Sequence, residues 1–175
     1  MKHPRIAISA LTLSAAAIVS LFTMEGFVGK AMIPVPGDVP TIGFGTTEGV
    51  KMGDSIDPVT AVNRGYRDVV KFEDSIKKCV KVPLYQHEYD AYVKLTYNIG
   101  AANFCSSSIP KKLNAGQYDA ACETILDFVC GPATLATRAL PGQKCFSLKK
   151  PMRVIKGLQN RRQEEYQLCR GSTQP

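Results

Sequence analysis

The chain has 175 residues, with 22 Lys and Arg, 15 Asp and Glu, and a formal net charge of +7. At 45% hydrophobic and 21% charged residues it contains enough apolar side chains for a core, which excludes a disordered chain and a protein with several membrane spans. The length suits one domain, or one domain with a terminal segment. The positive charge indicates an acidic partner such as nucleic acid, anionic lipid or an anionic polymer, without choosing among them.

The apolar N-terminal segment is the first feature along the chain. Lys2 and Arg5 precede an uncharged run, Ile6–Met24, that is long enough to cross a bilayer as a helix. Its Ala, Ser and Thr content is unfavourable for a permanent anchor. Three interpretations remain: a signal peptide cleaved near the small residues Ala15–Ala17, a stable anchor, or a signal-anchor that later leaves the bilayer and joins the folded domain.

A carboxylate and a predicted hairpin follow this segment directly. Glu25 ends the apolar run, and a Pro/Gly/Asp cluster at residues 34–38 separates two short apolar stretches, which predicts two strands joined by a turn. The hairpin carries Asp38 and Thr41. Two carboxylates and a hydroxyl brought together in this way suit glycoside hydrolysis, in which one acid protonates the leaving oxygen and another group directs the nucleophile. The alternative is a capped helix and a surface turn without catalytic function.

The rest of the chain is predicted to be helical. Asp57-Pro58 is a helix start, and apolar periodicity predicts helices over 58–78 and 84–99. A tyrosine stripe in the second of these is typical of a core. Further helices are predicted up to Asn114, from Asp119 to about Val129 and from about Pro151 to Cys169, with a loop at 131–142 and a frayed tail at 171–175.

The six cysteines all lie in the C-terminal half, and none forms a C-x-x-C pair. Zinc would require thiolates or imidazoles clustered at ligand spacing, so the even count predicts disulfides, an oxidising compartment and no metal site. Six buried thiols in a cytosolic protein are the alternative. About fifteen pairings remain open. The candidates are Cys79, Cys105, Cys122, Cys130, Cys145 and Cys169.

An ordered set of motifs resembles the phage lysozymes of glycoside hydrolase family twenty-four, and among them the signal-anchor-release endolysins. The motifs follow the family's order from residue 25 to about residue 170. They are Glu25-Gly26, the hairpin end Pro40–Gly45, the segment Tyr97–Phe104, Leu113–Gly116 with Ala120–Cys122, and Gly157-Leu158 with Arg161, Arg162 and Glu165.

The resemblance implies an α+β, mainly α, lysozyme-like fold with a small N-terminal β-hairpin lobe and a larger, disulfide-stapled helical lobe. It implies a muramidase without a cofactor that hydrolyses the β-1,4 bond between N-acetylmuramic acid and N-acetylglucosamine in peptidoglycan and so lyses the host. Glu25 and Thr41 match the family's catalytic positions. The family's hairpin Asp is replaced by Pro34, and we assign its water-orienting role to Asp38. The family's Gly-His after the hairpin is Gly45-Thr46 here. Tyr97, Asn98 and Phe104 are the expected substrate-binding residues.

The resemblance also favours the signal-anchor interpretation. In this interpretation residues 1–24 are a signal-anchor-release segment that becomes the first helix. Residues 25–170 are the muramidase domain, and residues 171–175 are a flexible tail. We expect a monomer exported to the host periplasm, tethered to the inner membrane through residues 6–24 and then released. No cysteine lies in residues 1–78, so membrane depolarisation, rather than thiol exchange, is the predicted trigger.

Two alternatives to a muramidase remain. A lytic transglycosylase needs one Glu and no water-holding Asp. A cationic wall- or membrane-binding protein would act through basic residues near the C-terminus, which could form a solvated face. Nucleic acid is not an expected partner, because the sequence contains no recognised nucleic-acid-binding module and the protein is expected to be exported. The basic residues are Lys149, Lys150, Arg153, Arg161 and Arg162.

Overall fold

In the computed structural model the described residues are 4–34, 37–132 and 152–172. Within these ranges the chain forms seven α-helices and two antiparallel two-stranded sheets. The α-helices are α1 (Ala15–Glu25), α2 (Pro58–Cys79), α3 (Gln86–Ile99), α4 (Ala101–Ser106), α5 (Ser108–Asn114), α6 (Tyr118–Thr124) and α7 (Lys156–Cys169). The strands are β1 (Val28–Met32), β2 (Thr41–Gly43), β3 (Cys130–Pro132) and β4 (Met152–Val154), and short 3-10 helices cover Ile8–Ala10 and Ile125–Asp127.

The apolar N-terminal run is helical only in its second half. Ile6 pairs with Leu84 as an isolated antiparallel bridge. Helix α1 begins after Ser14, whose side chain accepts a hydrogen bond from the backbone N–H of Ala17. Serine is a strong N-terminal cap because its oxygen satisfies a donor that the first helical turn leaves free. The prediction of one first helix over the whole run is therefore wrong for residues before Ser14.

The described helices contain no candidate membrane span. None of them combines the length and the apolar character that crossing a bilayer requires.

The predicted hairpin is present directly after α1. Strands β1 and β2 pair antiparallel, with Val28 opposite Gly43 and Met32 opposite Thr41. The register is irregular between these two pairs, so the strands are not matched residue for residue. Thr41 is the first residue of β2, and the connection before it contains Asp38. The hairpin therefore carries both predicted site residues.

The larger lobe is built around α2 and α3. Asp57 caps α2 by accepting backbone hydrogen bonds from Val59 and Thr60, as its sequence predicted. Tyr89 and Tyr92 of α3 are fully buried, which confirms that the tyrosine stripe is core. The predicted α+β, mainly α, architecture with a small hairpin lobe is confirmed.

The C-terminal part differs from the sequence expectation. Helix α7 begins at Lys156 rather than Pro151, because residues 152–154 form strand β4 and pair with β3. Helix α6 ends at Thr124 and continues only as a 3-10 turn, short of the predicted Val129. Most of the predicted loop at 131–142 lies outside the described residues.

Disulfides join the ends of helices that are distant in sequence. Cys130 is also disulfide-bonded, and Cys145 lies outside the described residues. Each bridge closes a long loop and therefore restricts the unfolded chain more than the folded one. The two bridges with both partners described are Cys79–Cys105 and Cys122–Cys169.

Candidate active site

Glu25 is the last residue of α1 and points its carboxylate at the C-terminal helix. Gly26 ends α1 with a positive φ of 70°, a conformation that glycine adopts without steric cost. The Glu25 side chain is 17% exposed, and its Oε1 accepts a hydrogen bond of 2.7 Å from Nη1 of Arg161 on α7. The carboxylate is thus held in place by a charge-assisted bond while it stays accessible.

A cleft of about 630 Å³ surrounds this carboxylate. It is bounded by the end of α1, the hairpin, one face of α2 and the junction of α3 with α4. Five of the six predicted catalytic and substrate-binding residues line it together, from three separate parts of the sequence. These five are Glu25, Asp38, Thr41, Tyr97 and Asn98.

Phe104, the sixth predicted site residue, does not line the cleft. It is fully buried and packs against Tyr92, with ring centroids 5.9 Å apart. Gly100 has a φ of 85° and separates α3 from α4, so the chain changes direction before Phe104. The assignment of Phe104 to substrate binding is therefore wrong, and the residue belongs to the core.

Asp38 and Thr41 occupy the hairpin side of the cleft. Oδ1 of Asp38 accepts a hydrogen bond of 2.8 Å from the backbone N–H of Val39, and the Thr41 hydroxyl donates to the Val39 carbonyl at 3.2 Å. Both side chains thus contact the same residue of the connection. Pro34, which stands where the family has its hairpin Asp, also lines the cleft. A carboxylate at position 38 therefore reaches the same space as position 34.

Aromatic packing around Phe44 supports Tyr97, which lines the cleft. Phe44 stacks on Phe22 of α1 with ring centroids 4.7 Å apart, and its carbonyl accepts a hydrogen bond of 2.7 Å from the Tyr97 hydroxyl. A Cβ on Gly45 would lie 3.5 Å from Tyr97 and 3.7 Å from Oε2 of Glu25. Burial, reinforced by Asp68 and Glu25, raises the pKa of Tyr97, which therefore stays a protonated donor.

Asp68 belongs to the cleft lining, although the sequence did not single it out, and the buried Thr46 holds its carboxylate. Asp68 lines the cleft from α2, and its Oδ2 accepts a hydrogen bond of 2.6 Å from the Thr46 hydroxyl. Lys71 lies 3.7 Å from its Oδ1. Thr46 is the residue that replaces the family's histidine, and the only sequence signal for the pair was that replacement.

Arg161 and Arg162 are not part of a solvated basic face. Arg161 is paired with Glu25, and Arg162 is fully buried on the inner side of α7. Arg161 contacts the cleft carboxylate Glu25 and Arg162 contacts the cleft amide Asn98, so neither presents its charge to a wall polymer. Lys149 and Lys150, from the same predicted basic group, lie outside the described residues.

Comparisons with known proteins agree on one family. A sequence profile for the family described as phage lysozyme matches residues 23–165. The SAR-endolysin of Pseudomonas phage phiKMV is 34% identical over 155 residues, covering 89% of this chain and 86% of the relative. The endolysin of Acyrthosiphon pisum secondary endosymbiont phage 1 is 32% identical over 102 residues, covering 58% of this chain and 70% of the relative.

A solved structure supports the same grouping. The endolysin from Escherichia coli O157:H7 phage FAHEc1 superposes with a TM-score of 0.76 at 29% identity, and the alignment covers 95% of this chain and 98% of that one. All cleft residues described above lie within the range that the family profile matches.

Proposed function

Since the chain belongs to the phage lysozyme family, we propose that it is a muramidase that cleaves the β-1,4 bond between N-acetylmuramic acid and N-acetylglucosamine. A lytic role on peptidoglycan follows from family membership. The finer assignment is supported by one observation above all. Glu25, Asp38 and Thr41 come from the end of a helix and from a hairpin, yet they line a single open cleft.

The reaction we propose is direct hydrolysis with inversion. Glu25 donates a proton to the glycosidic oxygen, while Asp38 and Thr41 hold a water molecule on the opposite face of the sugar. As its proton leaves, Glu25 gains negative charge. The Arg161 guanidinium, 2.7 Å away, stabilises that charge as it develops. Arg161 therefore acts on the transition state as well as on the orientation of the acid.

The chemistry of the products tests this proposal. Purified peptidoglycan is digested with the full-length enzyme, and the released fragments are analysed by mass spectrometry after borohydride reduction. Hydrolysis at the proposed bond gives reducible N-acetylmuramic acid ends. Anhydromuramic ends would identify a transglycosylase, and reducible N-acetylglucosamine ends would identify cleavage of the other glycosidic bond. Either of those results contradicts the proposal.

We also propose that residues 1–24 are a signal-anchor that is retained after release. The segment then packs against the domain of residues 25–170 as part of its fold. Four buried charged groups of α2 and α3 support retention, because each has a partner in the segment. Ser14 N–H donates to Asp90 at 3.0 Å, Leu13 N–H to Glu73 at 2.7 Å, and Lys94 donates to the Ser20 hydroxyl at 2.8 Å. Arg5 makes two hydrogen bonds to Glu88, at 2.8 and 3.0 Å.

These contacts give a physical reason for inactivity in the tethered state. While residues 6–24 lie in a bilayer, neither this segment nor the adjoining Arg5 can supply these contacts, and a buried charge that loses a hydrogen-bond partner is costly. Glu25, at the end of the same segment, would be held at the membrane interface away from Asp38 and Arg161. We therefore propose a periplasmic enzyme that is tethered to the inner membrane and becomes active on release by depolarisation.

N-terminal sequencing of active enzyme recovered from lysed host cells tests retention. An intact segment that includes Arg5 and Leu13 is the expected result. Active enzyme that begins just after Ala17 would instead identify a cleaved signal peptide and overturn this part of the proposal.

A further inference from the structure

Arg162 is a fully buried cation with few partners. Its Nη2 donates to Oδ1 of Asn98 at 2.7 Å, and its Nε lies 3.3 Å from Oε2 of Glu165, one turn further along α7. Among the described residues, Nε and Nη1 of Arg162 and Oε2 of Glu165 have no hydrogen-bond partner. The bond to Asn98 is therefore the well-formed polar contact of this guanidinium.

Such an arrangement is unfavourable for stability. Burial lowers the pKa of Arg162 and raises that of Glu165 to about 7, so desolvation outweighs the attraction between them. A buried ion pair with unsatisfied donors contributes less than an apolar pair of similar volume would. A costly buried pair beside a cleft indicates a functional role.

The bond fixes which end of the Asn98 amide faces the cleft. A guanidinium has only donors, so it binds the amide oxygen and not the amide nitrogen. Because Oδ1 is turned toward Arg162, the NH₂ group is the end left for the cleft, which Asn98 lines together with Glu25 and Tyr97. An asparagine without this partner could present either end.

We propose that Arg162 and Glu165 are positioning residues that hold Asn98 as a hydrogen-bond donor to the acetamido carbonyl of the bound glycan. This inference rests on the proposed function, since it takes the substrate to be an N-acetylated glycan. An amide NH₂ needs an oxygen acceptor, and the N-acetyl carbonyl is the amide acceptor that both sugars share. Asn98 thereby selects N-acetylated over de-N-acetylated glycan.

The first test separates the two ends of the amide. Asn98→Asp keeps an acceptor for Arg162 and replaces the NH₂ donor by an oxygen. Binding of soluble, uncrosslinked glycan strands is measured by calorimetry in a Glu25→Gln background, so that no cleavage occurs and no second charge lies next to Glu25. We expect affinity for N-acetylated strands to fall at least tenfold, with little loss for enzymatically de-N-acetylated strands. The matched control is Asn103→Asp, on the exposed side of α4, which should bind as the parent does.

The inference would be overturned if Asn98→Asp lowered the affinity for N-acetylated and de-N-acetylated strands equally, or lowered neither. If Asn98 had only a structural role, Asn98→Asp would also leave binding intact, because the new ion pair with Arg162 preserves the contact. Binding is measured without turnover, so failure of this inference is distinct from failure of the proposed hydrolysis, which only product analysis reveals.

The second test addresses Arg162 and Glu165. Arg162→Met should raise KM for N-acetylated strands about tenfold with a smaller change in kcat, and Arg162→Lys should restore part of the affinity. A positioning role would be contradicted if Arg162→Met lowered the melting temperature but left KM unchanged at temperatures below thermal unfolding.

The pH dependence of KM provides a separate readout for Glu165. Arg162 and Arg161 on α7 and Lys94 on α3 oppose the rise in its pKa, and Glu25 on α1 adds to it. The wild-type KM should rise as the pH falls through about 7, because Glu165 becomes neutral and no longer holds Arg162. Glu165→Gln should have the raised KM at every pH on both sides of this value. If Glu165→Gln kept the wild-type rise in KM near pH 7, the role of Glu165 would be overturned.

Discussion

Arg161 donates a hydrogen bond of 2.7 Å to Glu25, a residue 136 positions earlier in the chain. The bond joins the end of the first α-helix to the last one, and both side chains are mostly buried, at 18% and 17% exposure. The site is therefore complete only when both ends of the chain are folded against each other. Under the proposed signal-anchor release, this dependence would couple the position of the N-terminal segment to activity.

Removal of the Arg161 charge tests that relationship. Arg161→Met should lower kcat about 10- to 100-fold, since a hydrogen bond to a charged group contributes about 1.5–3 kcal/mol. Arg161→Lys should recover part of the loss, because it keeps the charge and loses the planar geometry. Steady-state kinetics on purified peptidoglycan measure both. Arg170→Met, at the exposed end of the same helix, is the control and should be fully active. Unchanged kcat in Arg161→Met would refute a role for the pair.

The water-orienting assignment predicts a clear effect at Asp38. Asp38→Asn removes the acceptor for the water proton and should reduce kcat about 100-fold or more, within the usual range for a general base. Thr41→Val should lower it less. Asp74→Asn, exposed on α2, is the control. Full activity in Asp38→Asn would mean that another cleft carboxylate, such as Asp68, orients the water.

Retention of the N-terminal segment predicts a large loss of stability on truncation. A chain that begins at Ile18 lacks the N-terminal hydrogen-bond partners of Glu73, Glu88 and Asp90, and each lost bond to a buried carboxylate costs about 1–3 kcal/mol. It should be unfolded or melt far below the full-length protein. Circular dichroism of the two forms measures this. A truncated chain with the full-length melting temperature would show that the segment does not belong to the fold.

A smaller substitution keeps that question testable if the truncated chain does not fold. Arg5→Gln and Glu88→Gln should each destabilise the protein, and the double variant should lose less than the sum of the two. Strict additivity of the two changes in unfolding free energy would show that the Arg5–Glu88 contact does not hold the segment.

The Cys122–Cys169 bridge closes a loop of 47 residues, for which the chain-entropy model gives about 4 kcal/mol of stabilisation. The double variant Cys122→Ala/Cys169→Ala should lose stability of this order in urea unfolding. It should keep near-normal activity at low temperature, because neither residue lines the cleft. The Cys79–Cys105 bridge closes a shorter loop, so Cys79→Ala/Cys105→Ala should lose slightly less stability. Equal stability of the wild type and both variants would contradict a structural role for the bridges.

The family and the hairpin site could be predicted from local signals. Gly26 after an apolar run, turn residues around Asp38 and the Asp57-Pro58 cap each determine conformation within a few residues. The family assignment used the order of such motifs, and the comparisons confirm it. The end of α1 at Glu25 follows from the same local rules.

The inward roles of Arg161 and Arg162 could not be predicted, because they depend on contacts with residues more than 60 positions away. From sequence alone an Arg-Arg pair on a polar helix indicates a solvated face. The assignment of Phe104 to substrate binding was wrong for a related reason. Phe104 follows Asn98 closely in sequence, but the chain changes direction at Gly100 and places the ring in the core. Strand β4 was missed since its pairing with β3 is not encoded locally.

Comparison of the wild-type enzyme with Glu25→Gln is the most direct test of catalysis by Glu25. Loss of turbidity of purified peptidoglycan is recorded for both, with circular dichroism to establish that both are folded and with Glu123→Gln, exposed on α6, as control. If Glu25 is the general acid, Glu25→Gln loses activity by at least 100-fold while the control is unaffected. A folded Glu25→Gln variant that clears the wall at the wild-type rate would contradict catalysis by Glu25 and favour a cationic, non-enzymatic mode of action.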